Sequence, residues 1–169
     1  MEWSKLVRVF SLCNKPYQKI YVAAPPSEAS IAHINKSFGI ELPAAFIQFA
    51  HECPTYGTWF SSIGEDYDNY LHIFQINKVF REPDPERKGE LPPWLVIINH
   101  GHDYDCDCLD TRAFNAETRE YPIQYWHPRL RETRDPHTTF QEYLSWHVEK
   151  WAKGVPPIIR KEIDEVLLP

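Results

Sequence analysis

The longest uninterrupted apolar stretch of the chain is Trp94, Leu95, Val96, Ile97 and Ile98, which follows the pair Pro92 and Pro93. Five residues rich in β-branched side chains are too few for a helix, and they predict a buried central strand. Asn99, His100, Gly101 and His102 then interrupt the pattern with turn-forming residues. From Asp103 onward Asp105, Cys106, Asp107 and Cys108 alternate polar and apolar. That period of two predicts an antiparallel partner strand with Cys106 and Cys108 facing the core and Asp105 and Asp107 facing out.

Helical spacing flanks this hairpin on both sides. Ser27 suits an N-cap, Ile31, Ile34 and Phe38 recur every three or four residues, and Gly39 supplies a stop. Pro43 opens a second helix in which Phe46, Phe49, Ala50 and Cys53 form one stripe, ended by Pro54. Trp59, Phe60 and Ile63, then a polar tip from Gly64 to Asn69, then Leu71, Ile73, Phe74 and Ile76, predict two strands joined by an acidic loop. Residues 81–90 carry charges and prolines and predict a surface loop. Tyr121 to Trp126 predicts a further strand, with Pro122 at its start or on an edge. Residues 127–137 read as a polar connector. Thr139 and Glu142 match a capping box, and Phe140, Leu144, His147, Val148 and Trp151 mark one face of a late helix closed by Gly154 and Pro156. Ile159, Ile163, Val166 and Leu167 give a short C-terminal helix. Residues 1–26 hold apolar clusters to which the pattern assigns no class. The expected fold is α+β: a mostly antiparallel sheet of about four to six strands flanked by two N-terminal helices and one or two C-terminal helices.

Composition narrows this picture. With 169 residues, 43% hydrophobic and 14% aromatic, the chain can bury one substantial core, so a single domain over 1–169 is expected, with a core at about 28–152 and a helical extension at 153–169. A formal charge of −6 argues against a nucleic-acid binder, which would show a basic face. Met1 to Leu12 is broken by charges and lacks the form of a signal peptide, and no apolar run approaches the length needed to span a bilayer. Four cysteines in such a chain are expected to be reduced thiols, which places the protein in the cytoplasm.

Candidate chemistry concentrates in His100, His102, Asp103, Asp105, Cys106, Asp107, Cys108 and Asp110, all possible metal ligands. Strand alternation divides this set between two faces, which leaves His100, His102 and Asp103 as the one geometrically possible subset, and the spacings of structural zinc sites are missing, so neither metal nor cofactor is expected. No phosphate-binding glycine loop, His-Glu-x-x-His helix or Gly-x-Ser-x-Gly elbow is present, and the expectation is a protein that is not an enzyme. His147 and Cys53 read as packed core residues rather than as base and nucleophile. The acidic positions suit either a solvated face or a binding surface. The surface reading comprises Glu65, Asp66, Tyr67, Asp68 and Tyr70 in one loop, and His102, Asp103, Tyr104, Asp105 and Asp107 near another.

The order of landmarks then matters: IELPAAFIQF at the second helix, LPPWLVIINHG before the hairpin, DCLD within it, YPIQYWHP, and TTFQEYL at the late helix. Together these resemble the SUKH superfamily, the group of bacterial toxin immunity proteins that also includes fungal regulators of cell-wall synthesis. The likeness spans roughly residues 28–150. Leu42 and Pro43 match its Leu-Pro pair, Cys108, Leu109 and Asp110 its Cys-Leu-Asp type triplet, and Phe140 its phenylalanine near the late helix start. Residues 101–110 depart from it in their His, Asp and Cys content, and the tail after Gly154 extends past its core. The resemblance implies a cytoplasmic immunity protein that neutralises a cognate toxin, a nuclease or other polymorphic toxin, by stoichiometric binding. A regulatory scaffold like the fungal relatives is the alternative, and a metal-dependent hydrolase built on the His and Asp residues is the third reading.

Overall fold

A computed structural model describes residues 1–14, 25–53, 60–65, 67, 72–85, 89–101 and 104–168. In chain order these form α1 (Trp3–Asn14), α2 (Glu28–Phe38), α3 (Ala44–Glu52), α4 (Ile73–Arg81), β1 (Leu95–His100), β2 (Cys106–Asp110), β3 (Ile123–His127), β4 (Glu132–His137), α5 (Phe140–Ala152) and α6 (Pro157–Leu167). The strands make an antiparallel sheet in the order β1-β2-β3-β4, which Phe60 extends through a bridge to Asn99. The α+β fold read from the sequence is the fold observed.

Both faces of the sheet are covered. Val96, Ile98, Leu109 and Ile123 belong to the larger core, which α1, α3, α5 and α6 complete. Its centre is aromatic: Phe10 meets Phe49 edge-on at 4.8 Å, and Phe46, Phe60, Phe140 and Tyr143 surround that pair. Leu95, Ile97, Cys106, Cys108 and Trp126 project to the opposite face, where Ile76 and Phe80 of α4 close a smaller core. The period of two in the hairpin thus separates two buried environments, not core from solvent.

Local signals explain most helix ends. Ser27 Oγ accepts from Ser30 N at 3.1 Å, Ser30 Oγ accepts from Ser27 N at 3.0 Å, and Gly39 ends α2 in the left-handed region at φ 65°. At α5, Thr139 Oγ1 accepts from Glu142 N at 3.1 Å, but the Glu142 carboxylate turns back to Thr138, taking its N–H at 2.8 Å and its hydroxyl at 2.7 Å.

Four expectations need correction. Ile73 to Ile76 belong to helix α4 and not to a strand, because Ile73, Ile76, Asn77 and Phe80 form a buried stripe at helical spacing; Trp59 and Leu71, the other ends of the expected strand pair, lie outside the described residues. Residues 132–137 are strand β4 rather than connector, held by ladder bonds to β3 with no apolar side chain besides Pro136. That puts β3 in the interior of the sheet. Trp94 precedes β1 and is 37% exposed, so it is not a core residue. Finally, β1 ends the four-strand order instead of lying in its centre.

How β1 can be an end strand and still be buried from Leu95 to Asn99 follows from its neighbours. Asn77 Oδ1 accepts from Ile97 N at 2.9 Å while Asn77 Nδ2 donates to Ile97 O at 3.1 Å, so one amide stands in for a missing strand. Arg81 Nη2 donates to Leu95 O at 2.9 Å, and Ser61 N donates to Ile98 O at 2.8 Å. Helix α4 therefore closes an edge that would otherwise offer unpaired backbone groups.

Asn77→Ala leaves Ile97 N–H buried without its acceptor and is expected to cost roughly 2–4 kcal/mol in urea unfolding. Trp94→Ala, at a half-exposed position, is expected to cost only about 1 kcal/mol. The opposite ranking of the two variants contradicts this account of the β1 edge.

Candidate functional site

The hairpin that the sequence singled out runs between two polar ends of the sheet. Asp105 and Asp110 are five strand residues apart, a span of roughly 16 Å. At the Asp105 end, β2 sets Asp107 opposite Asn99 on one side and opposite Tyr125 on the other. Helix α5 lays Tyr143 over them. Tyr143 Oη donates to Asp107 Oδ2 at 2.7 Å, and the Asn99 amide donates to both Asp107 Oδ2 at 3.1 Å and Tyr143 Oη at 2.7 Å. The three groups close a triangle between β1, β2 and α5. Burial pushes the Asp107 carboxyl up to about 6 against the opposing effect of these hydrogen bonds.

Asp105, on the same face, accepts a short hydrogen bond from Tyr125 Oη. Its other oxygen lies 3.9 Å from His127 Nδ1. Burial, then the hydrogen bond to Asp105, raise the Tyr125 phenol well above its usual range. Next to this group His147 is packed among Phe60, Tyr143, Trp146 and Trp151, with neither ring nitrogen hydrogen-bonded among the described residues. Burial first, then the charges of Lys150 and His137, lower its pKa to about 4. It is a neutral packing group at pH 7.

At the other end Asp110 is almost fully buried and receives Arg112 in a two-point pair, Nε on Oδ1 at 2.9 Å and Nη2 on Oδ2 at 2.7 Å. Arg112 N also donates to Oδ1 at 3.2 Å, and Gln124 Nε2 donates to Oδ2 at 3.0 Å. Hydrogen bonding from Arg112 holds the Asp110 carboxyl below the usual carboxylate range. The guanidinium in turn lies 4.7 Å over the Trp94 ring.

Against this geometry the sequence-derived surface divides. Asp66, Asp68, Tyr70, His102 and Asp103 lie outside the described residues. Glu65 is exposed and accepts from Ser27 Oγ at 2.6 Å. Tyr67 is half-buried against His33, His72 and Phe74, which makes it part of a local aromatic cluster. Tyr104 adopts a left-handed φ of 64° and packs on the smaller core beside Phe80. Asp105 is half-buried and tied to Tyr125. Asp107 is the clear correction: it faces α5, half-buried and bonded to Tyr143, because alternation shows which side a residue takes and not whether that side is covered. Cys106 and Cys108 do occupy the opposite face, and among the described residues no three His, Cys, Asp or Glu side chains converge as metal ligands. Burial lifts the Cys13 thiol to about 11 and the Cys53 thiol to about 12, so both stay protonated at neutral pH.

Residues 25–146, well over half the chain, match the SMI1/KNR4 family (SUKH-1). The chain belongs to that family. A solved structure described as a protein from Pseudomonas syringae pv. tomato superposes with a TM-score of 0.52 over 79% of this chain and 93% of that one, at 10% identity, a likeness of fold alone. No curated protein matches the sequence. Within the SUKH-1 match, the DCLD segment gains a physical meaning: Asp110 buries the carboxylate that fixes Arg112, and Asp107 at the start of the segment is tied to Tyr143 of α5. Arg112 and Asn99 were not singled out as site residues. A charged residue two positions after a strand-ending aspartate was the available signal for Arg112; nothing in a single sequence reveals that Asn99 meets Tyr143 across 44 positions.

The two shifted groups move stability in opposite directions with pH. Asp107 holds its proton between about pH 4 and 6 when the unfolded chain has lost it, so its contribution improves as pH falls through 6. His147 resists a proton that the unfolded chain accepts below about 6.5, so its contribution worsens as pH falls from there toward 4. Relative to wild type, His147→Phe is expected to gain and Asp107→Asn to lose stability on going from pH 7 to 4, each by roughly 1–3 kcal/mol. Urea midpoints at pH 4, 5, 6 and 7 measure this, and parallel curves for all three proteins contradict it.

Proposed function

We propose that this SUKH-1 chain is an immunity protein that binds and neutralises a cognate bacterial toxin domain by stoichiometric contact in the cytoplasm. The family match over residues 25–146 carries the reading, since the family resemblance implies immunity proteins. No helix among the described residues is long and apolar enough to cross a membrane, which fits a partner met in solution. Neutralisation requires occlusion of the toxin and no chemistry on the immunity side. A rigid sheet whose polar ends are held by internal hydrogen bonds suits that role, because little side-chain freedom is lost when such a surface is covered. The net charge of −6 favours a basic partner such as a nuclease with a cleft for phosphate.

The hydrogen bonds that tie Asp107 to Asn99 and Tyr143 shift the expected electrostatic contact to the exposed Glu65 and to Asp66 and Asp68, its neighbours in sequence. These carboxylates steer encounter, and exposed charges contribute little to stability.

The test is to mix the purified chain with a catalytically inactive form of the toxin domain encoded beside its gene. One-to-one binding, together with rescue of growth when the active toxin is co-expressed, is expected. Glu65→Gln, Asp66→Asn and Asp68→Asn combined are expected to slow association at low salt, with the difference shrinking near 0.15 M, where the screening length is about 8 Å. No binding and no rescue contradict the immunity reading, and capture of a host regulatory protein in place of a toxin points to the scaffold role.

A further inference from the structure

Arg112 is held on two sides and open on a third. Asp110 takes its Nε and Nη2, the indole of Trp94 lies beneath its plane, and Thr111 fixes Trp94 in turn by donating both its N–H and its hydroxyl to Trp94 O at 2.9 Å. The Arg112 side chain is nevertheless 57% exposed, and among the described residues its Nη1 has no acceptor. Trp94 keeps 37% of its surface exposed, and Phe114, two residues beyond Arg112, keeps 40%. A guanidinium is usually a mobile group on a flexible stem. Here its orientation is already fixed, so an acceptor that meets the free edge does so without the usual ordering cost.

We infer that the Trp94 and Arg112 shelf is a docking anchor for the toxin domain proposed above, taking a main-chain carbonyl oxygen on the free edge of Arg112 and an apolar side chain on the uncovered indole. The inference rests on the immunity reading. A neutral oxygen is the fitting acceptor for two reasons. Asp110 already balances the Arg112 charge, and a chain of net charge −6 repels a carboxylate-rich partner. Arginine and tryptophan in a fixed, partly desolvated arrangement are the residue types that dominate binding energy at protein interfaces. The shelf lies at the sheet end away from Asp105, so it is separate from the hydrogen-bonded group around Tyr125. The energetic roles also differ: acidic loop residues act on encounter, whereas an anchor of this kind acts on how long the complex lasts.

The experiment measures association and dissociation rates of the inactive toxin domain with wild type, Arg112→Lys, Arg112→Met and Trp94→Leu, after thermal unfolding has shown which variants are folded. Arg112→Lys keeps the charge and loses the planar fork. Folded variants are expected to bind about tenfold or more weakly, through faster dissociation and with little dependence on salt. Folded variants that bind within about twofold of wild type overturn the anchor while leaving the immunity reading intact. Failure of the wild type itself to bind overturns the immunity reading, and the anchor with it.

Discussion

The half-buried carboxylate of Asp107 joins the helical layer to the sheet, and much of the arrangement depends on it. An ionised group at that depth is costly to desolvate, and the hydroxyl of Tyr143 and the amide of Asn99 offset that cost with two hydrogen bonds to one oxygen. The carboxylate and its two partners come from three elements, so these bonds set the position of α5 over β1 and β2. Asn99 also stands beside the register shift in β1 and bridges Phe60, which carries the contact into the aromatic core. A hydrophobic triad of the same volume would hold the layers together but would not distinguish one register from its neighbour.

Several elements were legible in the sequence because their signals are local. Ser27, Gly39 and Thr139 mark helix ends whatever the rest of the chain does, and the apolar run before Asn99 has few alternatives to a buried strand. The misread elements depend on distant partners. Strand β4 has only charged and polar side chains with Pro136, and it is a strand because β3 offers a ladder. Helix α4 shows its stripe only when Asn77 and Phe80 are counted with Ile73 and Ile76, and Asn77 is polar because it serves the edge of β1. Helix α1 carries a clean stripe of Leu6, Val9, Phe10 and Cys13 but no cap signal to announce it. At the site, period two correctly separated Cys106 and Cys108 from Asp107. It misplaced Asp107 relative to solvent because Tyr143 of helix α5, 36 positions later, lies over that side. The resemblance drawn over residues 28–150 agrees with the family match over 25–146.

The same sheet thus presents two kinds of polar end. At one, hydrogen bonds link Asp107 to Asn99 and Tyr143, and Asp105 to Tyr125, which fits structural bracing. At the other, Asp110 is buried and, besides its bond from Gln124, orients an exposed arginine. Only the second arrangement leaves a directed donor facing outward, and that contrast moves the search for the recognition surface away from the carboxylates that the sequence made conspicuous.

Whether Asp107 is an internal brace is the point on which this division of labour turns. Titration of its side-chain carboxyl carbon by NMR in the folded protein tests it directly. A midpoint near 6, with the fold retained through the transition, is the expected result. A midpoint near 4, the value of a solvated aspartate, contradicts it and returns Asp107 to the surface.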